Sequence, residues 1–167
     1  VGKSRLLDEL RIAGLVGGAF ALRGRAAELD APYQMWREPL RRLVLNTDLS
    51  DYDAGVLKEI LADMDDLLDR PVTAAPIIEP DQASKRLLSV ISSLFSRQKQ
   101  PMLILLEDLH WARAENLTVL EQITQMVAGL PLLIVGSYRT DERLELAPTL
   151  RTLPTLHLKR LTSDEIV

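Results

Sequence analysis

The chain has 167 residues, of which 47% are hydrophobic and 26% are charged, as in an ordinary globular domain with a buried core. Its net charge of -4 gives no reason to expect nucleic acid as a partner, since nucleic-acid surfaces carry clustered Lys and Arg. Cysteine is absent, which excludes disulfides and cysteine metal sites. No apolar run approaches the roughly 20 residues that a membrane helix needs, so we expect no membrane contact and a cytoplasmic location.

The first half of the chain predicts three helices and one strand. Residues 4–15 place leucines on one face and charges on the other, which favours a helix that is ended by the cluster of Gly14, Gly17 and Gly18. Residues 19–26 predict a short strand. Residues 33–46 and 53–70 each predict one helix, the second with an acidic face. Three prolines within residues 71–80 predict a loop before the next element.

The second half alternates helices with strands. Asp81 is the predicted N-cap of a helix over residues 82–98, whose leucines recur at helical spacing. A second helix is predicted over residues 114–129. Three strands are predicted over residues 102–108, 131–139 and, more weakly, 155–161. Uninterrupted apolar runs such as "MLILL" are typical of strands covered by helices on both faces. We therefore predict an α/β fold with three layers and a mainly parallel sheet.

The sequence "VGKS" opens the chain and matches the end of the phosphate-binding loop G-x-x-x-x-G-K-[ST]. In such a loop the glycine lets backbone N–H groups surround phosphate, the lysine reaches the terminal phosphates and the hydroxyl binds Mg²⁺. The helix that follows directs its positive dipole end at the anion. Gly2, Lys3 and Ser4 are therefore candidate phosphate ligands, although three residues alone also fit a polar helix start.

Two adjacent acids, Glu107 and Asp108, end the apolar run "MLILL". Ligands of open α/β sheets bind at the carboxyl ends of the strands, where these acids are expected. Nucleotide hydrolysis needs one carboxylate near Mg²⁺ and another group that orients the attacking water. Successive acids can divide these roles because their side chains diverge. The alternative is that one of them only caps the next turn.

Arg139 follows the next predicted strand and is expected at the same edge of the sheet. Its planar guanidinium could contact a terminal phosphate and report whether that phosphate is present. The alternative is a surface salt bridge to Asp141 or Glu142. Neither His110 nor His157 has a visible partner for metal binding or nucleophilic catalysis in the sequence, so we interpret both histidines as structural.

These motifs together resemble the ATPase core of the STAND class, the AAA-related signal-transduction ATPases with numerous domains, in the branch found in large bacterial regulators. The resemblance covers nearly the whole chain, and its most specific parts are "LLEDLHWA" and the "GSYR" that follows it. It implies a P-loop NTPase fold of the AAA-like (ASCE) type with the sheet order 5-1-4-3-2. It also implies ATP and Mg²⁺ as ligands.

The resemblance assigns roles to six residues. Gly2, Lys3 and Ser4 match the end of the Walker A loop, with Ser4 also a Mg²⁺ ligand. Glu107 and Asp108 match the paired Walker B acids, for Mg²⁺ and for water activation respectively. The remaining position is the first sensor, matched by Arg139, which would bind nucleotide and take part in catalysis.

The same resemblance implies that residues 1–167 are a partial domain. They would begin inside Walker A, without the first strand, and end before the lid and winged-helix regions. We expect such a truncated chain to bind ATP weakly. Two departures from the family pattern concern the site: Glu107 stands where many relatives have aspartate, and Arg113 stands where an acid often follows "HWA".

The predicted function is an ATP-binding switch that hydrolyses ATP slowly, within a multidomain bacterial signalling or transcription regulator. Such regulators include LuxR-type transcription regulators and kinase- or cyclase-linked ATPases. Fused sensor and output domains would be its partners, with homo-oligomerisation on activation. Two alternatives stay open: a nucleotide-binding interaction module that does not hydrolyse, and a small-molecule P-loop kinase, for which the chain shows no acceptor signature.

Overall fold

A computed structural model of the chain describes residues 2–139 and 153–158. Within these residues, three strands form one parallel sheet in the order β1-β2-β3, with β2 in the centre. The strands are β1 (Phe20–Arg25), β2 (Met102–Glu107) and β3 (Leu132–Gly136). The α-helices are α1 (Lys3–Val16), α2 (Gln34–Val44), α3 (Asp51–Leu57), α4 (Met64–Leu68), α5 (Pro80–Ser96) and α6 (Ala114–Met126). Short 3-10 helices cover Leu109–Trp111 and Val127–Gly129.

The prediction of an α/β fold with a parallel sheet is confirmed. Parallel strands need crossover connections, which here run through α2 to α5 between β1 and β2, and through α6 between β2 and β3. The sheet order implied by the resemblance, 5-1-4-3-2, includes a first strand that would come before β1 in the chain. On that count the three strands are the second, third and fourth, and their observed neighbours agree with the 4-3-2 part of the order.

Every residue of β2 is buried, as its uninterrupted apolar run predicts. Successive side chains of a strand point to opposite faces, so Leu103 and Leu105 pack with Leu7 of α1 on one face. Ile104 and Leu106 belong to the larger core on the other face, with α2, α5 and α6. Glu107 follows Leu105 in this alternation and therefore lies on the α1 face.

The larger core is centred on Trp36 of α2, which has 0% of its surface exposed. Its ring meets that of Phe95 edge to face at 6.4 Å between centroids. Its indole Nε1 donates a 2.9 Å hydrogen bond to the backbone oxygen of Asn116 in α6. These contacts hold α2, α5 and α6 together beneath the sheet.

The prediction of one helix over residues 53–70 is wrong, because two short helices, α3 and α4, occupy that segment. The ammonium of Lys58 binds the carboxylate of Asp65 and also donates to the backbone oxygen of Val72 at 2.9 Å. Asp65 in turn accepts a 2.9 Å hydrogen bond from the backbone nitrogen of Val72. These long-range bonds fold the segment back on itself, which a straight helix does not permit.

Three local predictions also differ from the structure. The N-cap of α5 is Glu79, since the helix begins at Pro80 and Asp81 lies in its first turn. Gly14 does not help to end α1, which continues to Val16. A side chain at Gly14 would meet Leu103, so this glycine lets the helix approach β2 closely. The described part of the weak strand prediction, residues 155–158, is not a strand. Leu156 and Leu158 are exposed in this segment, and residues 159–161 lie outside the described part.

Candidate nucleotide site

The carboxyl ends of β2 and β3 form the edge of the sheet where the sequence predicts the site. The segment that follows β3 is bonded to the end of β2 through two backbone hydrogen bonds. Ser137 N donates to Leu106 O at 2.8 Å, and Leu109 N donates to Ser137 O at 2.9 Å. The two segments that carry the predicted acids and the predicted sensor arginine are therefore held side by side.

The first turn of α1 reaches this same edge. Lys3 Nζ donates a 3.1 Å hydrogen bond to the backbone oxygen of Tyr138. Gly2 precedes the helix with φ 105°, in the left-handed region that favours glycine. Ser4 is exposed in the first turn of the helix. The structure thus brings Lys3 to the predicted sensor segment, and we retain Gly2 and Ser4 as predicted phosphate and Mg²⁺ ligands.

Glu107 is only 6% exposed, and its carboxylate is paired with a cation. Arg23 of β1 donates from Nε to Glu107 Oε1 and, through a second nitrogen, to Asp8 of α1 at 2.9 Å. The hydrogen bond to Glu107 is the main cause that raises the pKa of the Arg23 guanidinium above its ordinary value. A charged carboxylate at this degree of burial needs such a partner, because desolvation without one is costly.

Asp108 has the left-handed backbone conformation, with φ 56°. This turn separates its side chain from that of Glu107 and directs it to Arg25, whose Nε donates to Asp108 Oδ2 at 2.8 Å. The Asp108 backbone nitrogen also donates a long 3.4 Å hydrogen bond to Ser137 Oγ. The prediction that the two acids diverge is therefore confirmed, and each of them meets a different arginine of β1.

Arg139 is exposed and directly follows Tyr138, the residue bonded to Lys3. The alternative salt-bridge partners, Asp141 and Glu142, lie outside the described residues. Arg113 lies at the N-cap of α6. It donates to Asp30 O at 3.3 Å and pairs with Glu115 at 3.7 Å.

Sequence reasoning missed three residues of the site, Asp8, Arg23 and Arg25. A signal for the arginines was present in "LRGR", because two arginines at i and i+2 of a strand lie on one face of the sheet. The backbone register pairs Arg25 with Glu107, and this pairing is not readable from the local pattern. No sequence pattern identified Asp8 as a residue of the site.

A cleft of about 520 Å³ opens beside the acids at the outer end of β1. Its lining includes Arg23, Arg25 and Glu107 from the ends of the strands, together with Gln34 and Glu38 of α2. Gly24 brings the two elements together, since a Cβ atom at this position would lie 2.4 Å from the backbone oxygen of Met35. The lining of the cleft combines these charged side chains with the apolar Met35.

The residues at the sheet edge fit Mg²⁺ in their chemistry. Ser4, Glu107 and Asp108 offer hydroxyl and carboxylate oxygens, the hard donors that this ion prefers. Among the described residues no group of three acidic or histidine side chains is placed to hold a metal by itself. Mg²⁺ at phosphate sites takes only one or two protein carboxylates and completes its shell with phosphates and water, so a smaller donor set is sufficient.

A parallel α/β sheet with a glycine-lysine helix start, paired acids and an arginine at one edge defines the P-loop NTPase-like class of AAA fold. A sequence model of the family described as "AAA ATPase domain" matches residues 1–135. The chain therefore belongs to the AAA ATPase domain family, and it is a nucleotide-binding ATPase module. No curated protein and no solved structure matches the chain significantly. No helix among the described residues is long and apolar enough to cross a membrane.

Proposed function

We propose that this domain binds ATP with Mg²⁺ and hydrolyses it slowly, as the switch of a STAND-class regulator of bacterial signalling or transcription. The observation that carries the proposal is the hydrogen bond from Lys3 to the Tyr138 carbonyl. It brings the phosphate-loop lysine to the segment of Arg139, at the edge of the sheet where β2 ends in Glu107 and Asp108. Fused sensor and output domains, homo-oligomerisation on activation and a cytoplasmic location belong to the same proposal.

In the proposed mechanism, Lys3 and the first N–H groups of α1 bind the phosphates. The positive end of the helix dipole adds to this attraction. Ser4 and Glu107 would hold Mg²⁺, which neutralises charge on the phosphates when it is bound. Asp108 would orient the attacking water and accept its proton. Arg139 would contact the terminal phosphate and transmit its presence to the neighbouring domains.

A second candidate is a nucleotide-binding interaction module that does not hydrolyse. The specific observation in its favour is that both acids are neutralised by arginines. Glu107 is paired with Arg23, and Asp108 is paired with Arg25 at 2.8 Å. An aspartate that keeps this ion pair in the nucleotide complex has one carboxylate oxygen occupied by Arg25 and so offers less to an attacking water.

The test compares two site variants in the full-length protein. We expect Lys3→Ala to weaken ATP binding roughly 10- to 150-fold, the equivalent of one charge-assisted hydrogen bond. We expect Asp108→Asn to retain ATP binding and to lower hydrolysis about 10²- to 10⁴-fold, as loss of a general base does. Lys99→Ala and Asp66→Asn are the matched controls, since both residues are exposed and lie outside the site.

Phosphate release measured in a single turnover separates the two candidates. Release by the wild type that is lost in Asp108→Asn supports the hydrolysing switch. Tight ATP binding without any release supports the interaction module. Hydrolysis unaffected by both Lys3→Ala and Asp108→Asn contradicts the proposed mechanism.

A further inference from the structure

Arg23 has no part in the proposed mechanism, yet its guanidinium joins two acids from different elements of the site. It binds Glu107 at the end of β2 and Asp8 in α1 at the same time. Arg23 is paired with Leu105 in the strand register and so lies on the sheet face that α1 covers. This placement puts the guanidinium between the helix that begins at Lys3 and the predicted Mg²⁺ ligand.

Asp8 lies four residues after Ser4 in α1, and residues four apart are neighbours on one face of a helix. Ser4 and Asp8 therefore face the same side of α1, one turn apart. The contact from Arg23 to Asp8 consequently sets the position of that face of the helix relative to Glu107. One end of this bridge is Glu107, and the other end is the helix face that also carries Ser4.

We propose that Arg23 is a positioning residue that holds both Glu107 and Asp8 while no cation is bound, and that it releases Glu107 and keeps only Asp8 when a divalent cation binds Glu107. The proposal rests on the proposed function, because it needs Mg²⁺-dependent nucleotide binding at Glu107. The guanidinium thus serves as an internal counter-ion, and it competes with the metal for one carboxylate.

The difference between the two acids makes this transfer directional. Glu107 has 8% of its side chain exposed, so it requires a positive partner at all times, whether Arg23 or the metal. Asp8 has 48% of its side chain exposed, so water can stabilise it with or without Arg23. The guanidinium presents several donors in one plane, which allows it to keep Asp8 when it releases Glu107.

The experiment is a Mg²⁺ titration of the full-length protein with a fluorescent ADP analogue as the probe. We expect Arg23→Gln to lower the half-saturating Mg²⁺ concentration roughly three- to tenfold, because the competing cation is gone. We expect Asp8→Asn to raise it by a similar factor, because the released guanidinium has lost its second acceptor. In EDTA, Arg23→Gln should also melt at a lower temperature than the wild type, since Glu107 then lacks any partner.

Arg70→Gln and Asp51→Asn serve as matched controls, because these residues form a 2.6 Å ion pair in another part of the molecule. They should leave the Mg²⁺ titration unchanged. A purely structural role for Arg23 predicts that Arg23→Gln and Asp8→Asn shift the Mg²⁺ requirement in the same direction or not at all. Either result overturns the proposal.

The failure of the inference is distinguishable from that of the proposed function. A wild type that binds the ADP analogue with no dependence on Mg²⁺ contradicts the inference, and one that binds neither this analogue nor ATP contradicts the proposed function as well. A wild type with a Mg²⁺ requirement that Asp8→Asn does not raise contradicts only the transfer. Asp8 is half-exposed, so Asp8→Asn is expected to fold and decides the question even if Arg23→Gln does not.

Discussion

Lys3 Nζ and the backbone oxygen of Tyr138 are joined by a 3.1 Å hydrogen bond across 135 positions of the chain. This bond connects the first turn of α1 with the segment that follows β3. A nucleotide phosphate that attracts the Lys3 ammonium competes directly with the Tyr138 carbonyl. If Lys3 binds phosphate as proposed, we expect phosphate binding and the position of the neighbouring Arg139 to be coupled through this one side chain.

Substitution of Arg139 should separate the binding of triphosphate from that of diphosphate. If Arg139 contacts only the terminal phosphate, Arg139→Ala weakens ATP binding about tenfold or more, as loss of one charge-assisted contact does. ADP binding should stay within about twofold of the wild type. Equilibrium titration of both nucleotides measures the ratio. Equal weakening of the two would show that Arg139 has no role in sensing the terminal phosphate.

The two tryptophans of the chain should differ in their access to solvent. Trp36 is 0% exposed, whereas Trp111, three residues after Asp108, is 38% exposed. We expect iodide to quench only part of the wild-type fluorescence and almost none of that of Trp111→Phe. Bound nucleotide should reduce the quenching of Trp111 by covering the site. Strong iodide quenching of Trp111→Phe would contradict the packing of Trp36 between α2, α5 and α6.

Two glycines provide a matched test of the close contact between β1 and α2. A Cβ atom at Gly24 would lie 2.4 Å from the Met35 backbone oxygen, whereas one at Gly129 meets nothing within 4 Å. We expect Gly24→Ala to lower the free energy of unfolding by about 1–3 kcal/mol, the usual cost of overpacking. Gly129→Ala should change it by less than about 0.5 kcal/mol. Urea denaturation measures both, and equal effects would exclude the close approach.

The ionised Asp65 should stabilise the folded protein at neutral pH and lose this contribution in acid. The hydrogen bond from Lys58 is the main cause that lowers the pKa of this carboxyl below its ordinary 3.8 in the folded protein. A group with a lowered folded pKa stabilises the protein above its unfolded pKa and loses that contribution as the pH falls through the folded value. The stability difference between wild type and Asp65→Asn should therefore be constant at neutral pH and shrink below about pH 4.

Asp66→Asn is the control for this titration, because Asp66 is the exposed neighbour in the same helix. Its free energy of unfolding at neutral pH should stay within about 0.5 kcal/mol of the wild type, as for most exposed positions. A difference for Asp65→Asn that grows on acidification would contradict the ion pair between Asp65 and Lys58. Stability is measured by urea denaturation at each pH.

Local sequence patterns were sufficient to predict most of the helices and strands. The apolar run before Glu107 predicted a strand buried on both faces, and every residue of β2 is buried. Alternation of helices and strands predicted a parallel sheet, and it was correct for β1, β2 and β3. The helix break after Leu57 was missed, because Lys58 reaches Asp65 and Val72 through contacts that no helical period contains.

The sequence by itself determined which residues gather at the carboxyl edge of the sheet, since the ends of parallel strands meet there whatever the side chains are. Glu107, Asp108 and Arg139 were predicted on this ground, and Lys3 was predicted from the phosphate-loop motif. Only the tertiary structure decided what each of them contacts. Arg23 and Arg25 reach the acids because the register of β1 against β2 pairs Arg25 with Glu107. Strand register depends on packing across the whole sheet, and no local stretch of sequence contains that information.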